Sequence, residues 1–546
     1  MADLILGPIL RYVSDTEATV WVETDAGCEV EILGRTARTV QIGGRHYGLV
    51  VLRELEPGSE TEYAVSLDGE PRWPTPGSPF PPSVIRTLPA RGPIHIVWGS
   101  CRVARPHHPP YTLDIDEHPE GTGVDALHAL GLRMREQAGA HRPHLLLLIG
   151  DQVYADEVSP VTLEEIRAKR DIREPPGEEV NDVEEYTMLY RESWGDPPVR
   201  WLLSTIPSAM MFDDHDVHDD WNTSEAWIED MRATDWWHER ILAGLSTYWI
   251  YQHIGNLSPT ELDANPLWAA LQESDDGGAL LRRFAEDADR DQGGALWAFS
   301  RRIGTARLVV LDGREGRVLQ DGRREMMDDG EWAWFDHQME NDPDHVLIAG
   351  TLPVLLAPTL HWLEAWNEAV CDGAWGSWAT GWSEKLRRGL DLEHWAAFQR
   401  SFHRLVDVVA ELAAGKRGAA PASIVMLGGD VHQSYLERVS FPDGPEVSSQ
   451  VWQAVCSPFR NQLGARERRT LQLARKSRLL RALAHALARS AGVREPLIRW
   501  DVVQDPTWRN QLGWLHIDGR ALELVVETTV ASHEPVLETA LRQQLA

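Results

Sequence analysis

Cysteine is scarce in this chain: Cys28, Cys101, Cys371 and Cys456 are the only four in 546 residues. They are too few and too scattered for a disulfide framework or a Cys-x-x-Cys zinc site, so they read as free thiols. Long apolar runs are missing as well. Nothing approaches the roughly 20 consecutive apolar residues that a spanning helix requires. The start, Met1-Ala2-Asp3-Leu4, lacks the basic region and apolar stretch of an export signal. The resulting expectations are no membrane insertion and a cytoplasmic location. Positive charge is also short, with 53 Lys and Arg against 84 Asp and Glu and a formal charge of −31. The long-range field of such a chain repels long nucleic acid and anionic membrane. An anionic substrate then needs a local positive island, and bound cations are the most economical way to make one.

What is present is ordinary globular material, 43 % hydrophobic and 25 % charged, which excludes a disordered chain. The length suggests two or more domains. Short alternating runs such as 18–23, 28–32 and 62–66, separated by Gly, Pro and Asp turns, predict a small fibronectin-like β-sandwich over residues 1–90. Residues 74–93 are rich in Pro, Gly and Ser and read as a linker.

From 91 to 546 the rhythm becomes strand, loop, long helix, which predicts an α/β domain with a buried sheet. Buried strands are expected at 94–98, 144–149, 209–212, 308–311, 345–349, 424–427 and 451–455, with one more at 521–529. Helical patterns lie near 124–139, 183–205, 225–254, 265–287 and 393–414. Residues 360–384 carry Trp362, Trp366, Trp375, Trp378 and Trp382. They are expected to form a packed insertion, with an aromatic wall beside the site as the alternative. Between 459 and 500, eleven Lys and Arg stand against two acids, with leucines at helical spacing. That pattern predicts an amphipathic helix docked on the acidic body, or else a lid.

Four strand ends deliver polar groups that packing alone does not require. The first is Gly99-Ser100-Cys101-Arg102, whose cysteine alone reads as a small buried hydrophobe. In Gly150-Asp151-Gln152-Val153-Tyr154 a glycine turn releases a carboxylate from an apolar strand, with a phenol three residues later; a helix cap is the plain alternative. In Asp213-Asp214-His215-Asp216-Val217-His218-Asp219-Asp220 the acids repel one another unless cations or protons relieve them. Last comes Gly428-Gly429-Asp430-Val431-His432. In an extended segment, positions two apart point to one side, so Asp430 and His432 can address one centre. Loops at the carboxyl ends of such strands share a crevice, so the four turns can converge. Carboxylates mixed with imidazole, phenolate and thiolate suit a transition metal. An all-carboxylate corner suits Ca²⁺, Mg²⁺ or Mn²⁺, so more than one cation is inferred.

The motifs GSCR, GDQVY, DDHDVHDDW and GGDVH, in this order, resemble the PhoD-like alkaline phosphatases and phosphodiesterases of the metallophosphoesterase superfamily. Leu311-Asp312-Gly313-Arg314 is similar to that family's Asp-x-Arg after a strand, and the leading β-sandwich also matches. The resemblance implies an αββα sandwich that hydrolyses small phosphate mono- or diesters with a metal-activated water. It implies Fe³⁺ together with Ca²⁺, while the ligand types alone also accept Mn²⁺, Zn²⁺ or Mg²⁺. Carried onto this sequence, it makes Asp151 the bridge between two metal positions, and Tyr154 and Cys101 the phenolate and thiolate ligands of Fe³⁺. Asp214 takes the place of the asparagine in the superfamily's Gly-Asn-His-Asp/Glu motif, and Asp430 and His432 supply the final metal motif. A phenol with a pKa near 10 needs a highly charged cation to ionise at neutral pH.

His215 takes the acid role, donating a proton to the leaving oxygen or a hydrogen bond to developing charge. Arg102 and Arg314 are candidate bidentate clamps on phosphate oxygens, with salt bridges to the surrounding acids as the equal alternative. His218 has no counterpart and reads as structural. Two departures stand out: family members commonly carry an export signal, and the superfamily's first Asp-x-His motif is replaced here by Cys101. The competing hypothesis is a metal-binding but catalytically retired recognition or regulatory module, because fold does not guarantee chemistry. The intact set of mutually repelling acids weighs against it. The sequence carries no signal of oligomeric state.

Overall fold

The period-two apolar pattern of the first 90 residues is realised as antiparallel pairing. The computed structural model describes residues 1–137, 142–290, 294–320, 322–340, 343–442, 444–530 and 534–546. Leu4–Val13, Ala18–Thr24, Arg45–Leu52 and Val40–Ile42 form one four-stranded sheet in that order. Arg35–Arg38, Glu29–Ile32, Val65–Leu67 and Glu70–Trp73 form another. In Glu29–Ile32 the valine and isoleucine are buried and the two glutamates exposed, which fixes the register because a one-residue slip would bury the acids. The stretch 74–93 is not linker throughout. Val84–Arg86 pairs with Glu60–Glu62, because its Val84 and Ile85 are apolar and bury fully.

The larger part of the chain is built on two mixed sheets. The first runs Ser208–Met211, Leu145–Ile149, Ile94–Gly99, Gln511–Asp518, Ala521–Thr529 and Leu537–Gln544, with its first three strands parallel. In the second, Ala306–Val310, His345–Ala349, Ser423–Gly428 and Gln450–Val455 make a parallel centre. Phe299–Ile303, Ser434–Ser440 and Arg499–Thr507 add antiparallel strands at its sides. Alternation decides which face each residue serves. Leu308, Val310, Leu347, Ala349, Val425 and Leu427 share a core with the first sheet. Val309, Val346, Ile348, Ile424 and Met426 instead face Trp332 and Phe335 of the helix Asp329–Gln338 and Phe402, Leu405 and Val409 of the helix Gln399–Ala413. Sheet packs on sheet with helices outside, the expected αββα sandwich.

The strands expected from residue 94 onward are present with ends within two residues of those read from the sequence, whereas the run 62–66 is divided between Glu60–Glu62 and Val65–Leu67. The helical patterns divide more than expected. The 183–205 pattern is two helices, Val183–Gly195 and Pro197–Thr205, because Pro197 has no N–H to continue the first. The 124–139 pattern is Ala126–Glu136, capped by Asp125, and positions 138 and 139 lie outside the described residues. The basic segment holds two helices, Ala465–Lys476 and Arg478–Ser490. The tryptophan-rich insertion is the pair Pro358–Cys371 and Ser377–Gly389. Among the described residues, no helix is long and apolar enough to cross a membrane.

Buried polar contacts join the N-terminal sheets to the rest. Arg11 donates to the carbonyl oxygens of Tyr251 and Gln252, and the Tyr251 hydroxyl donates to Glu23 at 2.9 Å.

Candidate metal centre

The parallel strands Ile94–Gly99, Leu145–Ile149, Ser208–Met211 and Ser423–Gly428 end in turns that hydrogen-bond to one another. The Cys101 amide donates to Gly150 O at 3.2 Å, and the Arg102 amide to Asp151 O at 3.0 Å. The Gly150 amide donates to Met211 O at 2.9 Å. From the second sheet, the Asp430 amide donates to Ser100 Oγ at 3.0 Å. Cys101, the Gly-Asp turn and the late Asp-Val-His turn therefore meet in one place.

The chain turns sharply there. Cys101, Asp151, Asp430 and His432 have φ of 57°, 53°, 62° and 48°, the left-handed region that costs a non-glycine residue about 1 kcal/mol. Gly150 is obligatory: its φ is 104°, and a Cβ would stand 2.8 Å from that of Asp213. Asp430 and His432 are not extended, as the sequence reading assumed. The His432 amide folds back on Asp430 O at 2.7 Å.

Carboxylate oxygens of Asp151, Asp213, Asp214 and Asp430 lie within 4.8 Å of one another, and Asp151, Asp214 and His215 form an overlapping group. The Tyr154 hydroxyl donates to Asp151 Oδ2 at 3.2 Å, and its ring stacks on His215 at 4.6 Å. The Cys101 sulfur is 3.1 Å from Ser100 Oγ and 3.6 Å from Asp430 O. Asp151 Oδ1 and Asp213 Oδ2 are buried without a hydrogen-bond partner. A buried orphan of this kind costs about 1–3 kcal/mol, more when charged.

The electrostatics point the same way. Burial and then crowding by neighbouring acids push the carboxyls of Asp151 and Asp213 well above the usual range. Burial, with Asp151 next, likewise raises the Cys101 thiol and the Tyr154 phenol. Burial lowers His432 to about 4, leaving its imidazole neutral with a lone pair to offer. The donor set lacks the positive charge that would let all its members ionise together, and a multivalent cation fits that lack. The cluster can therefore chelate; its carboxylates alone could not attract an anionic ester.

His215 Nδ1 lies 2.9 Å from both oxygens of Asp156. Burial alone would lower its pKa, but Asp156, with Asp214 and Asp151 beyond, raises it well above the ordinary imidazole value. A half-buried, protonated imidazole beside the acids can donate a proton or a hydrogen bond.

The two arginines are placed differently from the clamp reading. Arg314 is fully buried: its Nε donates to Asp213, its Nη2 is 3.1 Å from Asp214, and its Nη1 is 2.7 Å from both oxygens of Glu393. Arg102 is held by Asp125 at 2.7 Å and donates to the Ser193 carbonyl. Each guanidinium already meets carboxylate, which favours the salt-bridge alternative over the phosphate clamp. Arg314 instead gathers three acids around the cluster.

Several neighbours went unassigned in the sequence reading. His394 Nδ1 lies 2.8 Å from Glu364 and its Nε2 3.6 Å from Asp430. With Glu393 it forms the string Asp391-Leu392-Glu393-His394, whose mixture of acids and imidazole was the available signal; it was absorbed into a helical pattern starting at 393. Asp213 lay inside a quoted motif without a role, and Asp156 stands two residues beyond Tyr154. His218 packs its ring against Trp227, Trp236 and Trp237, in keeping with a structural residue.

A family model described as PhoD-like phosphatase matches residues 128–492, two-thirds of the chain. The chain belongs to the PhoD-like phosphatase family. As a PhoD-like protein it is a phosphoesterase, and the cluster residues from Asp151 to His432 fall inside the matched region while Cys101 precedes it. A second model, described as a domain of unknown function (DUF7800), matches residues 1–85. Among solved structures, one described as the structure of PhoD has a TM-score of 0.60 at 12 % identity. The match covers all of this chain and 92 % of that one, so the two share a fold. The purple acid phosphatase PPD1 from yellow lupin (Lupinus luteus) seeds has a TM-score of 0.46 at 9 % identity, over 96 % of this chain and 72 % of its own. No curated protein sequence matches the chain.

Proposed function

We propose that this phosphoesterase is metal-dependent and acts on small phosphate mono- or diesters. Cys101, Asp151, Tyr154, Asp213, Asp214, Asp430 and His432 are the residues that would hold two or more cations, with Asp151 shared between positions. Family resemblance favours Fe³⁺ beside the phenol and thiol and Ca²⁺ among the carboxylates. When bound, such cations supply positive charge for the phosphoryl oxygens and lower the pKa of a water.

The chain's own residues do the rest. Arg314 orients Asp213 and Asp214 toward the cluster and opposes the rise that burial imposes on their carboxyls. His215, kept protonated by Asp156, hands its proton to the leaving oxygen. Glu364 fixes His394 beside Asp430. The charge of −31 favours a small ester over a long polyanion as substrate. We also take residues 1–90 as a separate β domain, since every residue named here follows residue 100.

The observation that carries this reading is the pair of buried, unpartnered carboxylate oxygens, on Asp151 and Asp213, inside a four-carboxylate cluster. The test is elemental analysis of the purified protein together with hydrolysis of p-nitrophenyl phosphate and bis-p-nitrophenyl phosphate. Wild type is expected to carry metal and turn over one or both esters, and Asp151→Asn to lose both properties. Full activity in Asp151→Asn would overturn the assignment. Metal without turnover on either ester would put the retired module in its place.

A further inference from the structure

The basic segment contrasts sharply with the rest of the chain. Between residues 464 and 494 there are nine Lys and Arg and one acid, Glu467, in a protein of formal charge −31. The helix Ala465–Lys476 has no buried residue at all. The helix Arg478–Ser490 buries Ala484 and Ala488, the latter in a small core with Trp366 and Val370 of Pro358–Cys371. That packing holds the second helix in place and leaves its other side outward. On that side Leu479 is 69 % exposed and Leu483 53 %, and Leu473 of the first helix is 61 % exposed. Arg478 and Arg481 are exposed among them.

Two further features lie in the same helical cluster. Trp378 and Trp382 are exposed on the helix Ser377–Gly389, which joins the small core through Ala379. Between Arg478–Ser490 and the strand Arg499–Thr507 runs a groove of about 660 Å³, lined by Trp362, Trp500, Arg478, Arg481, Arg499 and His485.

We propose that this two-helix face docks on an anionic phospholipid surface. Arginine beside indole is suited to a headgroup phosphate at the boundary of water and hydrocarbon, and leucines interleaved with arginines are the composition of a helix lying in that boundary. A soluble polyanion would match the arginines and leave the leucines without purpose. A neutral apolar partner would leave the arginines unmatched. The net charge is no obstacle at contact, because repulsion from the acidic body is screened beyond about 8 Å at physiological ionic strength. The near end of the first helix is tied to the metal centre. Gly464 follows closely on Asn461, whose side-chain amide donates to the Tyr154 hydroxyl at 3.2 Å. The inference does not rest on the phosphoesterase chemistry.

The experiment is flotation of the full chain with vesicles of phosphatidylcholine alone and with vesicles that also contain phosphatidylglycerol. Binding is expected only to the second kind. The pair Arg478→Gln/Arg481→Gln should weaken it by about tenfold or more, and the pair Leu479→Ser/Leu483→Ser should weaken it as well. Unchanged thermal midpoints show that both variants fold, and neither touches the metal centre. Equal binding to both vesicles, binding to neither, or binding insensitive to both variants would overturn the proposal. So would a lipid-free dimer, seen by sedimentation, that the leucine variant dissolves, since the face would then be an interface between copies.

Discussion

Arg314 and Glu393, 79 positions apart in sequence, meet through two contacts of 2.7 Å in a site almost without solvent. The same guanidinium also serves Asp213 and Asp214, so its removal strands these two buried acids and leaves Glu393 to Arg317. Taking one member from such a network is strongly destabilising, because the remaining charges keep their desolvation penalty. Arg314→Met should lower stability by about 3–5 kcal/mol, read by urea denaturation. Glu393→Gln, which leaves Arg314 two partners, should cost less.

Asp151→Asn should show opposite effects in two conditions. With cations bound, loss of the shared carboxylate is expected to reduce turnover by more than about 100-fold and cation content along with it. After exhaustive chelation, the same change removes an acid that burial and its neighbours already disfavour, and should stabilise the fold by about 1–2 kcal/mol. Thermal melts with and without chelator check both signs.

His215→Ala should leave bound cations in place and slow turnover by about 10²–10⁴-fold, the usual contribution of a positioned acid. Asp156→Asn acts through His215 by withdrawing the partner that keeps it protonated, so it should depress the alkaline limb of the pH–rate profile. Metal analysis beside the profile distinguishes these outcomes from loss of the site.

Glu23, fully buried under the Tyr251 hydroxyl, gives a pH prediction away from the cluster. Burial raises its carboxyl from 4.5 to about 7. The folded state therefore holds a proton that the unfolded chain releases. Its contribution is complete below pH 4.5 and is lost as pH rises through about 7, on the order of 3 kcal/mol in all. Glu23→Gln should flatten this part of the stability curve between pH 5 and 8 in denaturant titrations.

The buried parallel strands were legible in the sequence because apolar runs such as Leu145–Ile149 end abruptly in glycine and acid. The strand Arg499–Thr507 was not, since its exposed and half-buried polar residues carry no apolar stripe. Convergence of the four turns could be argued from topology, while the pairing of His394 with Asp430 and of Glu393 with Arg314 is set by distant packing and leaves no local trace. The arginines show a different limit. A guanidinium presents the same fork to a phosphate and to a carboxylate, so residue type alone cannot say which it will meet.

Cys101, Asp151 and Asp430 each keep a side chain where the backbone would be more at ease with none. Folding and the proposed ion capture would thus be opposed at three positions, and glycine is the replacement that would relax the chain while emptying the crevice. A descendant released from selection for turnover should drift toward glycine there first, gaining robustness as it loses its chemistry. Such glycines would distinguish a lapsed copy from a working one before any assay was run.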